Sequence, residues 1–224
     1  MADQMTEFYL SSTKAFLDGG WIVQAQTYMD RLNAYLGSVA DTYQPIRAVQ
    51  IDIAITQGEL ARASGDFTSA GSSLAKAETL YSPASLAAPT GAMLRARIFA
   101  EQAETARETK HYAEVADIAK AYAAWKARAE PDLPGGEASA TARREIARAA
   151  IIVYRGALDA SNQLDLNARG LWDTGPWRQA MEAALAELRQ AGADDALIHE
   201  RIVERALAAA SRYEDSDSRA SFER

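Results

Sequence analysis

Hydrophobic residues recur every three or four positions along most of the chain, and this spacing predicts amphipathic helices rather than strands. Short runs of Gly, Pro, Asp and Ser interrupt the pattern. Between these breaks we predict nine helices and no sheet. The predicted helices cover, to within a few residues, 3–17, 21–36, 42–64, 65–81, 92–109, 112–129, 140–164, 177–191 and 194–213.

Helix breakers also predict how the chain is organised. Asp41 or Thr42 is expected to cap the third helix, with Pro45 in its first turn, where the missing N–H costs nothing. The segment 81–91 is expected to be a loop or short helical turn. The breaker-rich segment 130–139 predicts a subdomain seam. We therefore expect about three helical hairpins over 1–129, a linker over 130–139, capping helices over 140–213 and a polar tail over 214–224.

Aromatic residues begin three of the predicted helices at nearly equal spacing. They are Trp21, Phe67 and Tyr112, separated by 67 − 21 = 46 and 112 − 67 = 45 positions. Small residues precede each aromatic by nine and by six positions. These are Ser12, Gly58 and Ala103 at nine, and Ala15, Ala61 and Ala106 at six. Small residues let two antiparallel helices approach closely, so the pattern predicts repeated helical hairpins.

The middle hairpin resembles a tetratricopeptide repeat. Gly58 stands at the small position of the first helix, Gly65-Asp66-Phe67 at the turn, and Ala70, Leu74 and Ala77 in the second helix. Gly65 permits the tight turn and Asp66 can cap the second helix. The resemblance is best over 51–81 and partial over 6–36 and 97–125. It implies an all-α fold in which antiparallel hairpins stack as a short right-handed α-solenoid, with a C-terminal helical cap.

The same resemblance implies a concave groove, lined by the first helix of each hairpin, that binds a protein or peptide partner. The implied groove residues are Thr6, Tyr9, Thr13, Asp52, Ile55, Glu59, Arg62, Arg97, Glu104 and Arg107. A second candidate is the loop around Trp172 and Trp177. Aromatics in a loop are favoured at binding hot spots, but they also serve as anchors that hold a loop on the core.

Composition narrows the choice of partners and compartment. The chain has no cysteine, which excludes disulfides, thiolate metal sites and cysteine nucleophiles. Its net charge of −7 disfavours nonspecific binding to nucleic acid or to an anionic membrane. No run of about 18 apolar residues occurs and no basic, apolar leader opens the chain. We expect a soluble, cytoplasmic protein without membrane insertion.

Candidate catalytic chemistry is sparse. Asp195 and His199 could share a helix face, but a metal site needs a further ligand. The acid pairs Glu101 with Glu104 and Glu200 with Glu204 lack the Glu-x-x-His pattern of bundle metal sites. Phosphate-binding and nucleophile motifs are absent. We therefore expect no catalytic residue, no metal and no cofactor.

Three functions follow from these observations. The first is a non-enzymatic scaffold or adaptor that binds a protein segment in the groove. The alternative is a structural subunit of a larger assembly, such as a homo-oligomer, a virion or a secretion component. A third is a helical-bundle enzyme that uses the acid pairs and His199.

Overall fold

The computed structural model describes residues 1–163 and, beyond them, the single positions 179, 183 and 186. The described residues contain helices and turns but no strand, so the predicted all-α class is confirmed for this part of the chain. The helices are α1 (Ala2–Asp18), α2 (Ile22–Ser38), α3 (Arg47–Ala63), α4 (Phe67–Leu80), α5 (Ala88–Glu108), α6 (Tyr112–Ala129) and α7 (Glu137–Gln163), with one 3₁₀ turn at Pro83–Ser85.

Three predicted features reach beyond the described residues. Positions 179, 183 and 186 belong to the predicted helix 177–191, and all three are helical. The other residues of that helix, the whole predicted helix 194–213 and the polar tail lie outside the described part. So do Trp172, Trp177 and His199.

Two helix starts differ from the prediction. The third helix begins at Arg47 after Ile46, whose backbone is extended, so the predicted cap at Asp41 or Thr42 and the placement of Pro45 in the first turn are wrong. Residues 42 and 43 instead close a turn, since both of their N–H groups donate to the Val39 carbonyl. Helix α5 begins at Ala88, earlier than predicted, because Pro89 is tolerated in a first turn, where its missing N–H needs no partner.

The same turn geometry recurs after α1, α3 and α5. Gly20, Gly65 and Lys110 have positive φ values of 74°, 81° and 62°. Their spacings are 65 − 20 = 45 and 110 − 65 = 45. In each turn the next N–H donates at 2.8 Å to a carbonyl five residues earlier. These bonds join Trp21 to Phe16, Asp66 to Ala61 and His111 to Ala106. The left-handed residue and this bond define a Schellman-type helix end.

This geometry corrects the predicted alignment of the first hairpin by one residue. Trp21 is the N-cap of α2, and Ile22 is the first helical residue, as Phe67 and Tyr112 are in α4 and α6. The position nine before the first helical residue is therefore Thr13, which is fully buried, and not Ser12. The position six before it is Phe16 and not Ala15, so the predicted small residue is absent there. The predicted cap of α4 is confirmed, because the Asp66 carboxylate accepts a hydrogen bond from the Ser69 N–H at 3.0 Å.

The chain divides into two compact units, Met1–Glu101 and Gln102–Arg224, and the boundary falls within α5. The predicted seam at 130–139 lies inside the second unit, and α7 begins within it at Glu137. In the first unit α1 packs on α2, α3 packs on α4, and α3 also contacts α1 and α2. A Cβ on Gly58 would lie 3.1 Å from Leu74 Cγ, which shows how closely α3 and α4 approach.

Two apolar clusters fill the first unit. The first joins α1, α2 and α3 through Leu10, Ala25, Met29, Leu32, Ile53 and Leu60. The second joins α3, α4 and α5 through Ile51, Ala54, Ile55, Ala77, Leu94 and Ile98. Helix α3 contributes to both clusters, since its apolar residues occupy two sides. It is therefore the central helix of this unit.

The second unit is built on the packing of α6 against α7. Tyr122 is fully buried, and its hydroxyl donates to the Ile146 carbonyl at 2.5 Å. Its ring meets the Tyr154 ring edge to face at 5.7 Å. A Cβ on Gly156 would lie 3.3 Å from Val115 Cγ1, so this glycine allows α7 to lie close to α6.

Among the helices that the structure describes, none combines the length and apolar content that crossing a lipid bilayer requires.

Candidate functional site

Six charged side chains from three helices form a series of ion pairs in the first unit, which we call the ionic ladder. Its members are Lys14 on α1, Asp52, Glu59 and Arg62 on α3, and Arg97 and Glu101 on α5. Four of these residues were predicted to line the groove, and the structure brings them together: Asp52, Glu59, Arg62 and Arg97. The groove prediction did not include Lys14 or Glu101.

Asp52 joins all three helices of the ladder. One carboxylate oxygen lies 2.5 Å from Lys14 Nζ on α1, and the other accepts a hydrogen bond from Arg97 on α5. Arg97 also lies 3.8 Å from Glu59 on α3. The side chains of Lys14 and Asp52 are 31% and 20% exposed. Asp52 is therefore held between two cations at a position that solvent still reaches.

The far end of the ladder is more deeply buried. Arg62 Nε donates to Glu101 Oε2 at 3.0 Å, with side-chain exposures of 18% and 11%. A hydrogen-bonded ion pair in such a site replaces the water that both groups lose on folding. This end of the ladder is thus built mainly as a structural connection between α3 and α5.

The local charges shift the pKa values of the ladder in different directions. Burial alone would raise the pKa of Asp52, but the positive charges of Arg97 and Lys14 outweigh it and hold that pKa below its ordinary value. Burial, followed by the Arg97 charge, lowers the pKa of Lys14 despite the neighbouring Asp52. Asp52 is consequently the firmly ionised centre of the ladder.

The pKa values of the two glutamates in the ladder, Glu59 and Glu101, are raised. Burial, reinforced by the negative charge of Glu59, raises the pKa of Glu101 to about 7, against the opposing effect of Arg62. Burial also raises the pKa of Glu59, although Arg97 opposes it. Two acids in one partly desolvated site cannot both ionise freely. The buried end of the ladder therefore takes up a proton more readily than ordinary glutamates do.

Charged residues of the ladder recur at a spacing of 45 residues with opposite signs. Asp52 and Arg97 occupy equivalent positions, since 97 − 52 = 45, and they carry opposite charges. Lys14 and Glu59 are likewise equivalent, since 59 − 14 = 45, and also carry opposite charges. Of these charges, Asp52 pairs directly with Arg97, while Lys14 pairs with Asp52 and Glu59 with Arg97. The corrected register is the sequence signal that would have identified Lys14.

Other predicted groove residues have different surroundings. Ile55 is fully buried in the second apolar cluster and offers no side-chain surface. Thr6 and Thr13 are buried as well, and their hydroxyls donate to carbonyls of their own helix. Tyr9 is partly buried and contacts Phe8, Tyr28 and Tyr35.

Glu104 and Arg107 belong to a separate cluster in the second unit. Glu104 accepts hydrogen bonds from Arg107 Nε at 2.9 Å and from Arg155 on α7. Arg107 also lies 4.0 Å from Asp159, whose pKa is raised by burial despite the two arginines. Arg155 and Asp159 were missed by the sequence interpretation, because α7 lies outside the recognised repeat.

The proposed acid pair Glu101 and Glu104 is occupied by arginines on both sides. Arg62 binds the first carboxylate, while Arg107 and Arg155 bind the second. Within residues 1–163, no group of three or more His, Asp and Glu side chains is arranged to hold a metal ion. Glu101 and Glu104 are thus arranged for ion pairing.

Comparison with known proteins gave no match to a family model, to a curated protein or to a solved structure.

Proposed function

We propose that this protein is a non-enzymatic interaction scaffold, with the stacked hairpins of a tetratricopeptide-repeat-like α-solenoid, and that it binds a protein segment along the ionic ladder. The observation that carries the proposal is the placement of both signs of charge on three successive odd-numbered helices, α1, α3 and α5. The recurrence of one turn geometry every 45 residues supports the repeat architecture.

The ladder side chains are held in fixed positions, and this favours recognition of a partner. The side chains of Lys14, Asp52 and Arg97 are 20–31% exposed, yet each is fixed by an ion pair. A partner that exchanges or extends these pairs would pay little additional side-chain entropy. Because the ladder carries both cations and anions at fixed positions, it favours a partner whose charges alternate in the complementary order. A partner that places like charges opposite each other is repelled. We infer a polar, mixed-charge peptide as the ligand.

The ladder geometry determines which variants can test this proposal. Replacing Asp52 by a cation would place three positive charges together, with Lys14 and Arg97 as its neighbours. Replacing Arg62 by an acid would set a second negative charge against buried Glu101. Such reversals would destabilise the fold. Neutral replacements of similar shape are therefore the better choice.

The test starts by selecting peptides from an unbiased display library on the wild-type protein. Binding is then compared with a Lys14→Gln/Asp52→Asn variant, which removes the ion pairs of Asp52 with Lys14 and with Arg97 without changing the net charge. An Asp117→Asn/Lys120→Gln variant is the matched control, because it removes an exposed pair on α6 at 3.6 Å. Loss of binding in the ladder variant alone supports the proposal. Failure to select any binding peptide, or equal binding by both variants, contradicts it.

A further inference from the structure

The first hairpin carries a continuous aromatic face, which the ladder does not use. Its members are Phe8, Tyr9 and Phe16 from α1, Trp21 at the turn, and Tyr28 and Tyr35 from α2. Tyr28 is central, since its ring centroid lies 5.2 Å from that of Phe16 and 6.2 Å from that of Phe8. The Arg31 guanidinium lies 5.2 Å from the centre of the Tyr28 ring.

Two members of the aromatic face are largely open to solvent. Phe8 is 52% exposed and Trp21 is 58% exposed. Ring contacts through Tyr28 and Phe16 connect these two exposed side chains. Contiguous exposed apolar surface is uncommon on monomeric proteins and marks interaction surfaces. Aromatic side chains are also enriched among residues that dominate binding energies. The face therefore has the chemistry of an interface.

The residues that lie 45 and 90 positions after Phe8 show how the equivalent position is packed elsewhere in the first unit. Phe8, Ile53 and Ile98 are equivalent, since 53 − 8 = 45 and 98 − 53 = 45. Ile53 is buried against residues of α1 and α2, and Ile98 against residues of α3 and α4. In both cases this position packs onto a neighbouring helical hairpin. Phe8 holds the same position in α1, where the face remains open.

We propose that the aromatic face packs against the same face of a second copy of this chain, forming a twofold-symmetric dimer. A twofold axis lying in the interface and parallel to the helices places α1 of one copy on α2 of the other. Each Phe8 then meets the aromatic face of the opposite copy, as Ile53 and Ile98 meet a hairpin within one chain.

Charges at the edges of the aromatic face favour a second copy of the chain as its partner. Glu7 and Arg31 are both exposed and stand on opposite helices, next to Phe8 and Tyr28 respectively. The proposed axis brings Glu7 of one copy towards Arg31 of the other, and it does so twice by symmetry. The face is thus complementary to itself in charge, whereas a strongly acidic or basic partner would leave one of these groups opposed by a like charge.

The test measures the molar mass of the full chain by sedimentation equilibrium from about 1 to about 200 µM. We expect the mass to rise with concentration from 24.2 kDa towards 2 × 24.2 = 48.4 kDa. Phe8→Glu should raise the dissociation constant at least about tenfold. Ile46→Glu is the matched control, because Ile46 is a comparably exposed apolar residue outside the face, 67% exposed, and should leave the constant unchanged.

A charge exchange tests the predicted geometry independently. Glu7→Arg and Arg31→Glu should each weaken the dimer several-fold, and the double variant should restore it, since the pairing is then reversed. Circular dichroism checks that each variant keeps its helicity. If Phe8→Glu does not fold, this charge exchange decides the question.

Three results would overturn the proposal: a wild-type monomer at every concentration, a dimer indifferent to Phe8→Glu, or a double charge variant that fails to recover. The measurement uses no peptide, so its failure leaves the ladder proposal untouched.

Discussion

Lys110 occupies the turn position that Gly65 occupies one hairpin earlier, and both residues have the left-handed backbone conformation, with φ values of 62° and 81°. Glycine adopts this conformation freely, whereas a residue with a Cβ is strained by about 1 kcal/mol or more. The turn after α5 therefore keeps the geometry of the other two turns at a cost in backbone energy.

Lys110→Gly should stabilise the protein because it relieves this strain. We expect the free energy of unfolding to rise by about 1 kcal/mol in a urea titration. Lys120→Gly is the control, because it makes the same substitution at an exposed position in the interior of α6. It should lower the free energy of unfolding by about 1 kcal/mol. Two variants of equal stability would show that the turn does not strain Lys110.

Close packing of α3 and α4 depends on the absence of a side chain at Gly58. Its missing Cβ would lie 3.1 Å from Leu74 Cγ and 3.5 Å from the Ala70 carbonyl oxygen. Gly58→Leu should therefore lower the free energy of unfolding by about 2 kcal/mol or more, measured by urea denaturation.

Gly71→Leu is the control for that change. A Cβ on Gly71 would meet nothing within 4 Å, so leucine there should stabilise α4 by up to about 1 kcal/mol through helix propensity. If Gly58→Leu were as stable as Gly71→Leu, the two helices could not be packed as closely as described.

Glu101 should make stability fall as the pH rises. Its pKa is raised to about 7 in the folded protein, from an ordinary value of 4.5, because burial and Glu59 disfavour its charge. Between these values the folded state keeps a proton that the unfolded state has lost. The contribution is thus present below about pH 4.5 and is lost as the pH rises through about 7, by up to about 1.4 kcal/mol per pH unit.

Glu101→Gln isolates this effect, because the amide cannot ionise. Thermal or urea unfolding followed from about pH 4.5 to about pH 8 should show that the variant gains stability relative to wild type as the pH increases. Parallel profiles for wild type and Glu101→Gln would contradict the assigned pKa direction.

Arg155 should contribute strongly to the second unit through Glu104. The side chains of this pair are only 18% and 9% exposed. Arg155→Met removes one of the two arginines bound to a buried carboxylate, so we expect a loss of about 2–3 kcal/mol in the free energy of unfolding. In a Glu104→Gln background the same substitution should cost much less. Equal costs in the two backgrounds would rule out the coupling.

The sequence was sufficient for the helical class and for the middle hairpin, because Gly65 and Asp66 each have one strong local preference. Glycine favours the left-handed turn, and aspartate favours the N-cap. The first hairpin was misaligned by one residue because two consecutive glycines, Gly19 and Gly20, can each end a helix. Only the backbone shows that Gly20 takes the positive φ and that Trp21 is a cap.

The members of the ladder were only partly predictable. The groove prediction included Asp52 and Arg97 because of the resemblance to a tetratricopeptide repeat. It missed Lys14 because the misaligned register moved it away from the position of Glu59. It missed Glu101 because periodicity alone does not reveal which buried acid an arginine such as Arg62 will reach. Ile55 was assigned to the groove although α3 buries two sides, a property that depends on packing by neighbouring helices.

Binding of a protein segment to the ladder is tested most directly by the affinity of one display-selected peptide, measured by calorimetry. We expect Lys14→Gln/Asp52→Asn to weaken binding at least about tenfold, while Asp117→Asn/Lys120→Gln leaves the affinity within about twofold of wild type. Matched helicity and thermal unfolding of the variants would confirm that the fold is intact. Unchanged affinity in the folded ladder variant would contradict the claim.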